Sequence, residues 1–511
     1  MVRSMEEFAS AFRTARVVST PLVTVRTADP ASTVRFVTEA VMGAKTHSAV
    51  VAWDVMRGLY AVGKENAEEL AQVLGDREPS TVGPAEALLL ARALGEDAIV
   101  FYANAHRFWN EASVMQGIWN LRDAFKANGR MLLLLASPGA TLPPELVQDV
   151  FLIDEPLPTA KDLERITNET FKDAGLDEPE GNVLQYAVDA LIGLAAFPAE
   201  QALAMSLTNG KLDAEDLWER KRQMIEQTPG LSVWRGGETF DDLGGLQNLK
   251  RFLRAVLAGV DPPRVIVFID EIEKAFAGTG TDLSGVKSEM AGTMLTWMQD
   301  HGADGLLAIG PPGVCKSGAA KAAGNSTGIP TIAFDLTAME SSLVGASGER
   351  LRSALKVVEA VSQGRALFIA TCNSIASLPP ELRRRFTLGT FFFDLPTAEE
   401  RDAIWQIYLK KYNVSGELPS DPGWTGAEIK ECCRKAHRLK MSLKEASEYI
   451  IPVFRSAADQ IKALRQTASG KFLNASKPGV YRYDEEAATT PRRMIRLDQP
   501  LTVIPPARGE A

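Results

Sequence analysis

The run Gly310-Pro311-Pro312-Gly313-Val314-Cys315-Lys316-Ser317 has the residue types and spacing of a loop that wraps a triphosphate. Its glycines and short side chains let successive backbone N–H groups converge on phosphate oxygens. Lys316 is placed to reach the β- and γ-phosphates, and the Ser317 hydroxyl to ligate magnesium. Residues 305–309 before the loop read as an apolar strand and residues 318–323 after it as helix. The loop therefore falls at a helix N-terminus, where the dipole also favours an anion. Cys315 stands where the pattern has glycine and adds a side chain at the tightest point of the loop.

A second constellation lies upstream of the first. Val265-Ile266-Val267-Phe268-Ile269 is an apolar run that ends in Asp270-Glu271. Asp270 is suited to hold magnesium through water, and Glu271 to polarise an attacking water. A capped strand end gives the same letters; beside a phosphate loop they imply binding and hydrolysis of ATP with Mg2+. Asn373, just past an apolar strand at 366–370, is placed to hydrogen-bond the γ-phosphate or that water, and Asn also suits a plain strand-end turn. Arg383, Arg384 and Arg385 follow. An arginine fork grips phosphate oxygens in a bidentate way, while adjacent arginines also make a solvated face.

These groups need a scaffold, and comparing the chain with itself suggests one. Ile99-Val100-Phe101-Tyr102-Ala103-Asn104 aligns with Ile266-Val267-Phe268-Ile269-Asp270-Glu271. Leu142-Pro143-Pro144-Glu145-Leu146 aligns with Leu378-Pro379-Pro380-Glu381-Leu382, and Leu157-Pro158-Thr159-Ala160 with Leu395-Pro396-Thr397-Ala398. Matches in one order indicate duplication. The offset between copies grows from the first match to the second by about the length of residues 302–371, which carry the loop. On this reading the second copy holds a loop unit that the first lacks. Ala103 and Asn104 stand where the second copy has its carboxylates, so the first copy reads as a degenerate, non-hydrolysing partner.

Alternating apolar runs and helical patterns predict an α/β domain over residues 1–170 and a helical lid or linker over 171–232. They predict the ATPase core over 233–396, a second helical lid over 397–466, and a flexible tail over 467–511. The 511 residues are too many for one core. At 45% apolar and 24% charged the composition is that of a globular protein, and the net charge of −9 argues against a surface built mainly for nucleic acid. Cys315, Cys372, Cys432 and Cys433 show no metal-type spacing, and neither a signal core nor a membrane span is read. A cytoplasmic protein is expected, with no membrane partner.

Together these residues resemble the AAA+ ATPase superfamily, more closely its AAA branch, and within it the chloroplast and cyanobacterial reading-frame (Ycf-type) proteins. Thr239-Phe240-Asp241-Asp242-Leu243-Gly244-Gly245-Leu246 resembles that branch's opening segment, whose backbone cups adenine. The resemblance implies nucleotide contacts from Asp242, Leu243 and Gly244, from Pro311, Pro312, Gly313, Val314, Cys315, Lys316, Ser317 and Gly318, and from Gly426 and Ala427 of a sensor-2-like segment. It implies Glu271, Lys316, Asn373, Arg384 and Arg385 as catalytic groups, and Asp270 and Ser317 as metal ligands. The fold implied is α/β: two RecA-like parallel-sheet domains of the phosphate-loop type, the first degenerate and the second permuted, each followed by a small helical lid.

The order of the motifs departs from the family, since the acidic strand precedes the loop. A parallel sheet accepts this if the Asp270 strand lies beside the 305–309 strand. The resemblance also implies a homo-hexameric ring acting on a protein or nucleoprotein client, with an arginine completing the neighbouring site. Leu343-Val344-Gly345, where a pore loop is expected, lacks the gripping aromatic, which argues against a processive unfoldase. An ATP-dependent assembly switch with slow hydrolysis and a DNA-directed helper such as a helicase loader are the alternatives.

Overall fold

The computed structural model describes residues 4–42, 49–208, 210–276, 286–339, 346–375, 378 and 380–483. The first unit is built on β1 (Leu22–Arg26), β2 (Val50–Asp54), β3 (Gly58–Ala61), β4 (Ile99–Tyr102), β5 (Met131–Ala136) and β6 (Phe151–Asp154). In space their order is β3-β2-β4-β5-β1-β6, parallel except for the β2–β3 hairpin. The second sheet contains β9 (Leu231–Val233), β10 (Val265–Ile269), β11 (Asp304–Ile309), β12 (Thr331–Phe334), β13 (Ala366–Cys372), β14 (Gly389–Phe392) and β15 (Leu473–Asn474). Its order is β15-β14-β11-β13-β10-β12-β9. A small hairpin of β7 (Leu207–Thr208) and β8 (Lys211–Leu212) lies among the helices between the sheets.

The central strands are continuous apolar runs because both of their faces are covered, as parallel sheets require. Val265, Val267 and Ile269 of β10 enter one core, while Ile266 and Phe268 enter the opposite one. β13 divides in the same way, with Phe368, Ala370 and Cys372 on one face and Leu367 and Ile369 on the other. In the first unit, β5 sends Leu132, Leu134 and Ala136 to one core and Met131, Leu133 and Leu135 to the other. Removing a large side chain from such a layer costs about 3–5 kcal/mol. Each sheet is followed by helices with a core of their own, around Leu163, Leu191 and Leu217 after the first and around Trp405, Ile429 and Cys433 after the second.

The internal matches have physical meanings. Thr159 and Thr397 are N-caps, each closing a capping box with Asp162 or Glu400 at the start of helices Ala160–Asp173 and Ala398–Tyr412. Asn104 and Glu271, the aligned residues past β4 and β10, both adopt left-handed backbone, with φ of 52° and 48°.

Three expectations need correction. The first unit does contain a counterpart of the loop unit: β1, the helix Pro30–Met42 and β2 precede β4 in the chain. They occupy the places in the first sheet that β11, the helix Lys316–Thr327 and β12 occupy in the second. That counterpart lacks the lysine and glycines that would reveal it by spacing. Second, β10 does not lie beside β11, because β13 pairs with both. Third, the sheet extends past the expected boundaries. β9 closes one edge antiparallel to β12, and β15, inside the stretch read as a tail, pairs with β14. Around β15, Arg465 Nε and the Tyr481 hydroxyl both donate to Asp394, each at 2.7 Å, just before the second capping box. Leu343–Gly345, named above for the pore loop, lies outside the described residues.

Candidate functional site

The site forms where three strands end together. β11 delivers the loop, β10 the carboxylates, and β13 the residues between them. Ser317 Oγ donates to Asp270 Oδ1 at 2.7 Å, so the hydroxyl and the carboxylate meet although their strands are not neighbours. Thr371, at the end of the intervening strand, donates to the same Asp270 oxygen at 2.6 Å and accepts the Glu271 N–H at 2.8 Å. Thr371 therefore ties the carboxylate pair to the strand that separates it from the loop.

Asn373 links the remaining groups. Its Oδ1 accepts from Lys316 Nζ at 2.8 Å, and its Nδ2 donates to Glu271 Oε1 at 3.0 Å. Its own N–H is held by Glu273 Oε1 at 2.8 Å, which fixes the strand end from which the amide projects. Glu271 also pairs with Lys274 one turn on. Lys316 is buried, and its ammonium is shared among the carbonyls of Gly310 and Pro311 (2.8 Å each) and the Asn373 amide. Burial lowers the Lys316 pKa to about 8, with Glu273, Cys372, Asp270 and Glu271 opposing the shift.

Cys315 precedes the helix Lys316–Thr327 with φ of 68°, the left-handed conformation that explains why glycine is usual there. A side chain in that region costs about 1–2 kcal/mol. The thiol packs against Gly318, where an added Cβ would lie 2.5 Å from the sulfur. Burial raises the thiol's pKa, which keeps it neutral in ordinary buffers. Val314 is buried in the core beneath the loop, while Pro312 is exposed at its crest.

The segment expected to cup the base packs on the lid. Asp242 accepts the Thr239 N–H at 2.8 Å and closes a short turn, Leu243 is buried, and a Cβ at Gly244 would meet Ile404 at 2.3 Å. From the other side, Gly426 and Ala427 open the helix Gly426–Leu439, whose Ala427 N–H donates to Gly313 O at 3.2 Å. Loop, opening segment and lid thus pack against one another. The arginines stand apart from this network: Arg385 donates to Gln299 at 2.8 Å, and Arg384 is exposed. Sequence reasoning missed Thr371, Glu273 and Lys274. Thr371 ends an apolar run, and the polarity of that last position was the available signal.

The donors suit magnesium, which takes hard oxygen ligands from one or two carboxylates together with substrate phosphates. Ser317 and Asp270 supply the oxygens beside the helix N-terminus.

Comparison with known proteins agrees with this chemistry. A family profile described as "SpoVK-like AAA ATPase, N-terminal domain" matches residues 8–155, and one described as "ATPase family associated with various cellular activities (AAA)" matches residues 306–363. Among curated relatives, an "Uncharacterized AAA domain-containing protein ycf46" of Guillardia theta is 22% identical over 507 residues, covering 87% of this chain and 92% of that protein. Its namesake in Gracilaria tenuistipitata var. liui is 27% identical over 444 residues, covering 74% and 83%. An "ATP-dependent zinc metalloprotease FtsH" of Karelsulcia muelleri (strain DMIN) is 24% identical over a shorter stretch, covering 30% of this chain and 33% of its own.

Proposed function

This chain is an AAA ATPase and an ATP hydrolase, and from that premise we propose that it takes Mg-ATP at the Gly310–Ser317 loop and uses hydrolysis to remodel a protein or nucleoprotein partner as a ring of like subunits. The observation that carries the reading is the continuous chain of contacts Ser317–Asp270–Thr371–Glu271–Asn373–Lys316, assembled from three strand ends. Lys316 offers its ammonium to phosphate oxygens, and the loop N–H groups complete an anion cradle. When bound, magnesium neutralises charge on the phosphates; Ser317 and Asp270 are the residues that would hold it. Glu271 orients water and accepts its proton, while Asn373 fixes the distance between that carboxylate and the lysine. The exposed Arg384 is the better candidate for a neighbour's site, because Arg385 is engaged by Gln299. The shared spatial order of the two sheets, with β10 moved ahead of β11 in the chain, supports a permuted origin for the second unit.

Phosphate release by wild type, Lys316→Ala and Glu271→Gln tests the enzyme reading: both variants lose turnover, and equal rates at saturating ATP would end it. Mass photometry with and without nucleotide tests the ring, and a persistent monomer at micromolar concentration counts against it. A slow-hydrolysis assembly switch is favoured by one observation, the strained Cys315 at the tightest point of the cradle. On that reading ATP drives assembly in Glu271→Gln as well as in wild type, and wild-type turnover is no faster than assembly.

A further inference from the structure

The helix Ala346–Ser362 belongs to the second unit but lies against the carboxyl ends of β5 and β6 of the first sheet. Lys356 Nζ donates to Pro138 O at 2.6 Å and to Asp154 Oδ1 at 2.9 Å, at the ends of β5 and β6. Asp154 is gripped at the same time by Arg26, from the end of β1, through two contacts of 2.6 Å. Arg352 reaches Thr141 at 3.2 Å. Gly139 sits under the helix so closely that an added Cβ would lie 2.3 Å from Ser353 Oγ. At the far end of the helix, Gly193 of the first helical segment abuts Val361, where a Cβ would lie 2.8 Å from the backbone.

That edge has a particular meaning in an open parallel sheet, where ligands bind outside the carboxyl ends of the strands. In the second unit the same edge holds the phosphate loop and the carboxylates. The other face of the 346–362 helix, with Leu351, Ala354, Leu355 and Val358, packs into the core shared by Val267 and Ile269 of β10 and Phe368 and Ala370 of β13. Those strands end in Asp270 and in Thr371–Asn373. A single helix thus touches the vacated edge of one unit and the catalytic strands of the other.

We propose that the carboxyl edge of the first sheet is an intramolecular docking site for the 346–362 helix, and that this contact positions the catalytic carboxylates of the second unit. The first unit has exchanged a nucleotide for a helix, and it acts as a brace. Because the braced strands carry Asp270, Glu271 and Asn373 rather than the loop, the brace acts on the chemical step more than on ATP affinity.

The test uses the full chain. Lys356→Asp sets like charges against Asp154, whereas the conservative Lys356→Arg keeps opposite ones and leaves the Arg26–Asp154 pair intact. Amide exchange in residues 346–362 and 137–141 rises about tenfold in Lys356→Asp, kcat falls at least fivefold, and KM stays within twofold. Lys356→Arg keeps at least half of the wild-type protection and kcat. Gly139→Leu, which wedges the contact without altering charge, gives the same pattern as Lys356→Asp. Unchanged exchange in Lys356→Asp, a Lys356→Arg variant as impaired as Lys356→Asp, or raised exchange with unchanged kcat would overturn the proposal. The exchange arm reads out even where turnover is absent, so a failure of the docking and a failure of the hydrolysis reading are distinguishable.

Discussion

The two α/β units hold their strands in the same spatial order, yet only the second carries the Gly310–Ser317 loop and the Asp270-Glu271 pair. Past β4 the first unit presents Ala103 and Asn104; past β10 the second presents Asp270 and Glu271, with left-handed backbone at the same aligned position. Where the second unit has Gly310–Ser317, the first has Thr27-Ala28-Asp29-Pro30 opening its helix, with Thr33 bonded to Thr27 and Glu155. A carboxylate where the phosphate cradle would be repels an anion. The strand order is alike in the two units while the residues at these positions differ in charge, so the sheet alone does not supply a phosphate loop or a carboxylate pair.

The largest effects sharpen that contrast. Glu271→Gln lowers kcat by about 10²–10⁴-fold, the range of a positioned general base, whereas Asn104→Gln leaves turnover unchanged in the same phosphate-release assay. Asn373→Ala removes hydrogen bonds to charged partners on both sides, and kcat falls by roughly 10–100-fold. Equal sensitivity of Asn104 and Glu271 would erase the distinction between the units.

A pH profile probes the second unit alone. Bound phosphates favour protonated Lys316, whose pKa without nucleotide is about 8, so binding takes up a proton above that value. KM for ATP is flat below pH 7 and rises about tenfold between pH 7 and pH 9, following the loss of the ammonium. A flat KM across that range would contradict the assignment of Lys316 as the phosphate contact.

The smallest effect tests the likeness of the units. Thr159→Ala and Thr397→Ala each remove an N-cap from a matched capping box and each cost about 1 kcal/mol in chemical denaturation. A marked inequality would show that one lid has come to depend on contacts the other lacks.

Much of the second unit was legible because its chemistry demands residue types at fixed spacing. Lys316, Ser317, Asp270, Glu271 and Asn373, singled out by spacing, are joined by hydrogen bonds into one network. The repeated Leu-Pro-Thr-Ala was legible as a match, and its cause is a helix start. The strand at 366–370 was legible, but its place between β10 and β11 was not, because hydrophobic runs fix which segments are central but not which segments adjoin. Nor were β9 and β15, since two or three residues at a sheet edge carry no periodic signal. The first unit's loop counterpart was hidden for a chemical reason: Thr27–Thr33 holds neither the glycines nor the lysine whose spacing marks the loop of the second unit. Arg385 was read for its charge, but the structure engages it with Gln299 in a hydrogen bond that spacing does not reveal.

The short strand β15 has a consequence for how copies of this chain meet. An uncovered β14 would offer a row of free N–H and C=O groups, an invitation to pair with the backbone of another molecule. Leu473 and Asn474 fill the half of that row at Phe391 and Phe392, and the turn back to Val480 bridges Leu473 on its outer side. The chain thus uses its own backbone on part of this flank, which shortens the ladder open to another molecule and weakens the drive to extend the sheet from copy to copy.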